Sequence, residues 1–87
     1  MFFILNINNI IRATSLKGEE LINVSIYEFD KNNNFTKRIE AKSADISSLY
    51  WKLNDAKIFD KDGKTVSENV KDFPYQSKYD IKKIKSL

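Results

Sequence analysis

Asp60, Asp62 and Glu68, in the run "DKDGKTVSE", are the candidate cluster of side chains able to hold a cation or move a proton. The run begins like a calcium loop, which needs further oxygen ligands and a bidentate Glu at its twelfth position. Counting twelve from Asp60 reaches Lys71, so the run reads instead as a hairpin turn around Asp62-Gly63. Histidine and cysteine are absent. That excludes Ser–His and Cys–His nucleophiles, zinc sites built on Cys or His, and a disulfide framework. Gly18 and Gly63 stand alone, so there is no glycine-rich phosphate cradle. The expectation is a chain without catalytic residues, metal or cofactor.

The remaining chemistry is charge. The formal net charge is +3, from 15 basic and 12 acidic residues. The excess gathers in "SKYDIKKIKSL", where Lys78, Lys82, Lys83 and Lys85 stand against Asp80 alone. Such a tail suits phosphates or anionic headgroups, or is a solvated terminal segment. The aromatics raise the question of single-stranded nucleic acid, which small β domains bind by stacking bases within a basic groove. Tyr27 and Phe29 do fall on the parity opposite Val24 and Ile26, but Glu28, Asp30, Glu40 and Asp45 interrupt any such groove. Packing is therefore the expected use of the aromatics, and nucleic acid is not an expected partner.

The elements that must carry these residues are strands. At 87 residues, 41% hydrophobic and 31% charged, the chain has the composition of one small globular domain. Knots of Asn, Asp, Ser and Lys at 6–9, 16–20, 30–34 and 60–64 separate runs rich in β-branched and aromatic residues. Extended structure is predicted at 2–5, 9–16, 21–29, 35–47, 50–59 and 64–72. Alternation puts Ile22, Val24 and Ile26 on one face, and Phe35, Ile39 and Ala41 on one face of the next strand. In 50–59, Trp51 and Leu53 share a parity that Ala56 and Ile58 do not. A bulge at Asn54-Asp55 would add one residue and bring both pairs to one face. The tail has weak helical spacing at Ile81, Ile84 and Leu87. The fold class predicted is all-β and antiparallel: a sandwich, jellyroll or open barrel with a short helical or irregular exit. "MFFIL" is far shorter than a membrane span and lacks the features of a signal peptide.

Taken in order, "IIRATSLKGEELINVSIYEFDKNNNFTKRIEAKSADISSLYWKLNDAKIFD" resembles the periplasmic domain of the LptF/LptG permease family. The matching positions are Ile10, Ile11 and Ala13, then Leu21, Asn23, Val24, Ile26, Tyr27, Phe29 and Asp30. They continue with Ala41, Ala44, Trp51, Leu53 and Asp55. The wording around Tyr27 and Asp30 leans toward LptG.

The resemblance implies a β-jellyroll similar to those of LptC and LptA, spanning 1–75, with 76–87 a basic tail leading toward a membrane helix. Whole members carry transmembrane helices, so it also implies one domain of a longer inner-membrane protein, standing in the periplasm. Its implied partners are lipopolysaccharide, LptC and LptA jellyrolls joined by sheet-edge pairing, the second permease subunit, and the ATP-hydrolysing LptB. Val24, Ile26, Ile39, Ala41, Trp51, Leu53 and Ile58 are then the candidates for an apolar lipid groove, with ordinary core packing as the alternative for each. The tail lysines would lie near headgroups. Two other classes stay open: a small basic β-domain binding single-stranded nucleic acid, and a ligand-free adaptor docking by strand addition.

Overall fold

The two acidic knots fold into the same turn. Asp30 Oδ1 accepts the backbone N–H groups of Asn32 and Asn34 at 2.8 and 3.0 Å. Asp60 Oδ1 accepts those of Asp62 and Lys64, both at 2.9 Å. Each loop then places a left-handed residue at the same offset, Asn33 at φ 64° and Gly63 at φ 83°. The Asp60 carboxylate, at the head of the calcium-like run, is thus engaged in closing a hairpin.

The computed structural model describes residues 1–6 and 8–86. Among them the strands are β1 (Phe2–Leu5), β2 (Asn9–Lys17), β3 (Glu20–Phe29), β4 (Phe35–Asp45), β5 (Tyr50–Asn54), β6 (Ala56–Asp60), β7 (Thr65–Val70) and β8 (Phe73–Gln76). One helix, α1 (Ile81–Lys85), follows. All strand pairs are antiparallel. β5 and β6 both pair with β4, at Ser43–Asp45 and Lys37–Glu40, and they do so in one unbroken register. They are two halves of one strand line, parted at Asp55. β8 and β7 extend a second such line beyond them, with the register slipping only between Ala56 and Phe59. The result is a meander of sequence neighbours, an open, jellyroll-like sandwich rather than a closed barrel.

What bends this sheet is a row of polar residues crossing it. Flanking pairs place Thr14 opposite Asn23, Asn23 opposite Lys42, and Lys42 opposite Asp55. Asn23 and Asp55 both have φ 52°. A left-handed residue inside a strand reverses the side-chain alternation, and Asn and Asp tolerate that conformation best after glycine. The inward set steps by three across the row in the four strand lines it crosses, two of which hold a left-handed residue there: Ala13 to Leu16, Leu21 to Val24, Ala41 to Ala44, Leu53 to Ala56. Two sequence expectations change as a result. No residue is inserted at Asn54-Asp55, because β4 changes parity at Lys42 in step. Leu21, fully buried, takes the inward place expected of Ile22, which is only half-buried.

The core lies on the face enclosed by the bend. On one side of the row, Ile4, Ile11, Ile26, Ile39 and Ile58 are cross-strand partners from β1 to β6. On the other, Leu16, Leu21, Ala44, Leu53 and Phe73 are partners from β2 to β8. β8 extends beyond the last strand expected from the sequence. Its Pro74 would disqualify an interior strand, but β8 forms a sheet edge, where the missing N–H is not needed. The tail docks as well. Ile81 N–H donates to the Ile46 carbonyl at 2.8 Å, Asp80 caps α1, and Ile84 is buried in the core. Leu87, the third residue of the expected helical spacing, lies outside the described residues.

Candidate functional site

The seven groove candidates all reach the inner face of the sheet, although two different parities carry them there. Ile26, Ile39 and Ile58 are successive partners in one row, and Val24 and Ala41 are partners in the next. Trp51 and Leu53 lie beyond the bend and return to the same interior. Val24, Ile26, Ile39, Trp51 and Leu53 are no more than 2% exposed, and Ala41 is 8% exposed. Ile58 alone is half-buried, at the rim where β6 meets β7. Ile4, Ile11, Leu21, Ala44, Ile46, Ala56 and Tyr75 belong to the same interior and are not among the seven groove candidates. The signal that finds Leu21 and Ala44 is the left-handed Asn23, which an alternation count passes over.

Toward one end the inner face turns polar. Asn9, Glu28, Lys37 and Asp60 form the next row out from the isoleucines, and Lys37 Nζ lies 3.3 Å from Glu28 Oε1. Asn6 Nδ2 donates to Asn9 Oδ1 at 2.8 Å, and Asn9 Nδ2 donates to Tyr75 Oη at 2.8 Å. This chain of amides ties β2 to β8 across the interior. Burial, reinforced by the charge of Glu28, pushes the Tyr75 phenol up to about 12, against the opposing pull of the Asn9 hydrogen bond. Beside Tyr75, its cross-strand partner Trp51 donates its indole N–H to the Tyr79 carbonyl at 2.6 Å.

Lys78, Lys82, Lys83 and Lys85 are exposed, and none joins an ion pair among the described residues. Three of them lie in α1, where the helix dipole favours cations in the last turn. Of the acidic cluster, Asp60 holds its turn, Glu68 lies 3.9 Å from Lys57, and Asp62 is exposed. No group of three potential metal ligands gathers among the described residues. The arrangement offers an apolar interior between two sheet edges, with polar ties beside Trp51 and Tyr75.

No helix among the described residues is long and apolar enough to cross a membrane. No curated protein matches the chain. The family model described as lipopolysaccharide export system permease LptF/LptG matches residues 2–87. That span takes in every strand as well as the docked tail, and an open antiparallel sheet suits it, so the chain belongs to the LptF/LptG family of lipopolysaccharide export permeases.

Proposed function

We propose that this chain is the periplasmic domain of its permease, and that its inner face carries the acyl chains of lipopolysaccharide toward the jellyrolls of LptC and LptA. Membership of a transporter family supports a conduit rather than an enzyme, with ATP hydrolysis left to an LptB partner. The observation that carries the reading is the row Ile4–Ile11–Ile26–Ile39–Ile58, apolar without interruption from an edge strand to β6. Acyl chains need such a surface, since each methylene kept from water contributes about 0.8 kcal/mol.

In this reading the filled interior is the resting state, and lipid enters by parting the sheet halves at the Asn9–Tyr75 tie. Neighbouring jellyrolls join by strand addition. β1 suits that role, because it is an edge strand whose Phe3 and Leu5 are exposed and which carries neither charge nor proline. β8 is blunted by Pro74. The exposed lysines of α1 lie near headgroups.

The test is site-specific photo-crosslinking in the whole permease in inner membranes. A photoreactive residue at Ile58, on the inner face, is expected to label lipopolysaccharide during ATP turnover. The same residue at Lys52, on the outer face between Trp51 and Leu53, is expected not to. Equal labelling at both positions, or labelling at Lys52 alone, overturns the conduit.

A further inference from the structure

The outer face of the bend holds a groove of about 540 Å³ lined by Arg12, Ser25, Arg38, Glu40, Lys57 and Phe59. Here the register sets Arg12, Ser25, Glu40 and Lys57 in one row, and Tyr27, Arg38 and Phe59 in the next. Ser25 is small and 4% exposed, and it makes the floor, accepting a hydrogen bond from Arg12 Nη2 at 3.3 Å. The Arg38 guanidinium lies 4.2 Å above the Phe59 ring centroid, and the Lys57 ammonium lies 5.8 Å from the same centroid.

Stacking fixes the plane of the Arg38 guanidinium but does nothing for its in-plane N–H groups, which need acceptors. Arg38 Nε is buried and has no hydrogen-bond partner among the described residues. A buried unpaired donor on a charged group is costly and calls for an explanation. The charge balance points the same way. Lys42 is engaged by Asp55 at 3.5 Å and Lys57 by Glu68 at 3.9 Å. Arg12 and Arg38 share the groove with Glu40, and none of the three joins an ion pair among the described residues.

We propose that this groove binds a phosphate-type oxyanion, received on the in-plane N–H groups of Arg38, with Arg12 and Lys57 closing around it. A phosphate offers several acceptor oxygens at the spacing of the guanidinium fork. Arg38 and Ile39 are neighbours on opposite faces, so the site is independent of the apolar interior and of lipid conduction.

The test follows the Arg38 Nε–H resonance of the 87-residue chain by nitrogen-15 NMR at physiological ionic strength. One arm titrates inorganic phosphate, the other monomeric short-chain phosphatidylglycerol. The expected result is a saturable shift at Arg38 and its groove neighbours. Saturation by inorganic phosphate alone identifies a free phosphate or monoester, and saturation by the lipid identifies a headgroup diester. Arg38→Lys keeps the charge but loses the fork, and is expected to weaken binding about tenfold. Glu40→Gln is expected to tighten it, and Lys31→Gln, in a distant turn, to leave it unchanged. Unsaturable shifts in both arms, an Arg38→Lys variant that binds as well as the parent, or a Glu40→Gln variant that binds no tighter each overturn the site.

Discussion

Asn9 Nδ2 donates to Tyr75 Oη at 2.8 Å, joining residues 66 apart in sequence on opposite sides of the interior. The Tyr75 ring packs against Trp51 with centroids 6.1 Å apart, so the phenol brings an apolar body to the core and a polar tip to the tie. Tyr75→Phe keeps the body and removes the tip. It is expected to cost about 1 kcal/mol in urea unfolding, the net worth of one such hydrogen bond. The pH dependence adds a second readout. The phenol titrates near its ordinary 10.0 when unfolded but at about 12 in the fold, so the folded state holds the proton more tightly. Its contribution is fully present below pH 10 and is lost as pH rises toward 12. Tyr75→Phe should remove that part of the alkaline decline. An unchanged decline between parent and variant would mean that the phenol is not held in the interior.

Asn23 bends the sheet through a backbone conformation, so substitutions there separate conformation from contact. Asn23→Gly frees the left-handed geometry and is expected to leave stability within about 0.5 kcal/mol of the parent. Asn23→Val forces a β-branched residue to φ 52° and is expected to cost about 1–2 kcal/mol. Denaturant midpoints at matched m-values make the comparison. Equal midpoints for the two variants would show that the bend does not depend on Asn23.

The same residue marks how far the sequence could be read. Turn chemistry is local, so the knots around Asp30 and Asp60 could be placed from their Asn, Asp and Gly content. Alternation within one side of the bend is local too, and Val24, Ile26, Ile39 and Ala41 were correctly set on inward faces. Parity across the bend is not local. It depends on Asn23, Lys42 and Asp55 changing direction together on neighbouring strands, which no single strand reveals. Ile22 was therefore preferred to Leu21, and a bulge was expected where a kink suffices. Pro74 hid β8 for a related reason, since its tolerance depends on edge position, a property of the assembled sheet. The Arg38 site had no local signal either, because Phe59 comes beneath Arg38 only through the β4–β6 register.

The tail is structural as well as basic. Trp51 Nε1 donates to the Tyr79 carbonyl at 2.6 Å, and Ile84 is 6% exposed in the core. Removing residues 78–87 strips the indole of its acceptor and uncovers one end of the interior. The expected outcome is a red shift of Trp51 fluorescence with a loss of stability. Ile84→Ala alone should cost about 2 kcal/mol, the low end for a buried isoleucine because a five-residue helix can readjust. A shortened chain with parent-like emission and midpoint would mean that 78–87 contributes nothing to the core.

Ile39 and Ile58 are cross-strand partners in the same inward row, yet they are unequally enclosed. Ile39 is 1% exposed, with strands on both sides, whereas Ile58 is half-buried at the rim. If the row served stability alone, both truncations would simply weaken the fold, in proportion to burial. Ile39→Ala is expected to cost about 3 kcal/mol, a large share of what a domain this size commands. Ile58→Ala is expected to cost less, about 1–2 kcal/mol, because part of its surface already meets water. That difference makes Ile58 the position where packing and transport can be told apart. Ile58→Asp should leave a folded domain, judged by circular dichroism and Trp51 emission, while placing a charge on the path of the acyl chains. Lipopolysaccharide transfer by the whole permease carrying Ile58→Asp is expected to fall well below that of the Ile58→Ala variant. Transfer at the parent rate from a folded Ile58→Asp permease would leave the isoleucine row with a structural role only.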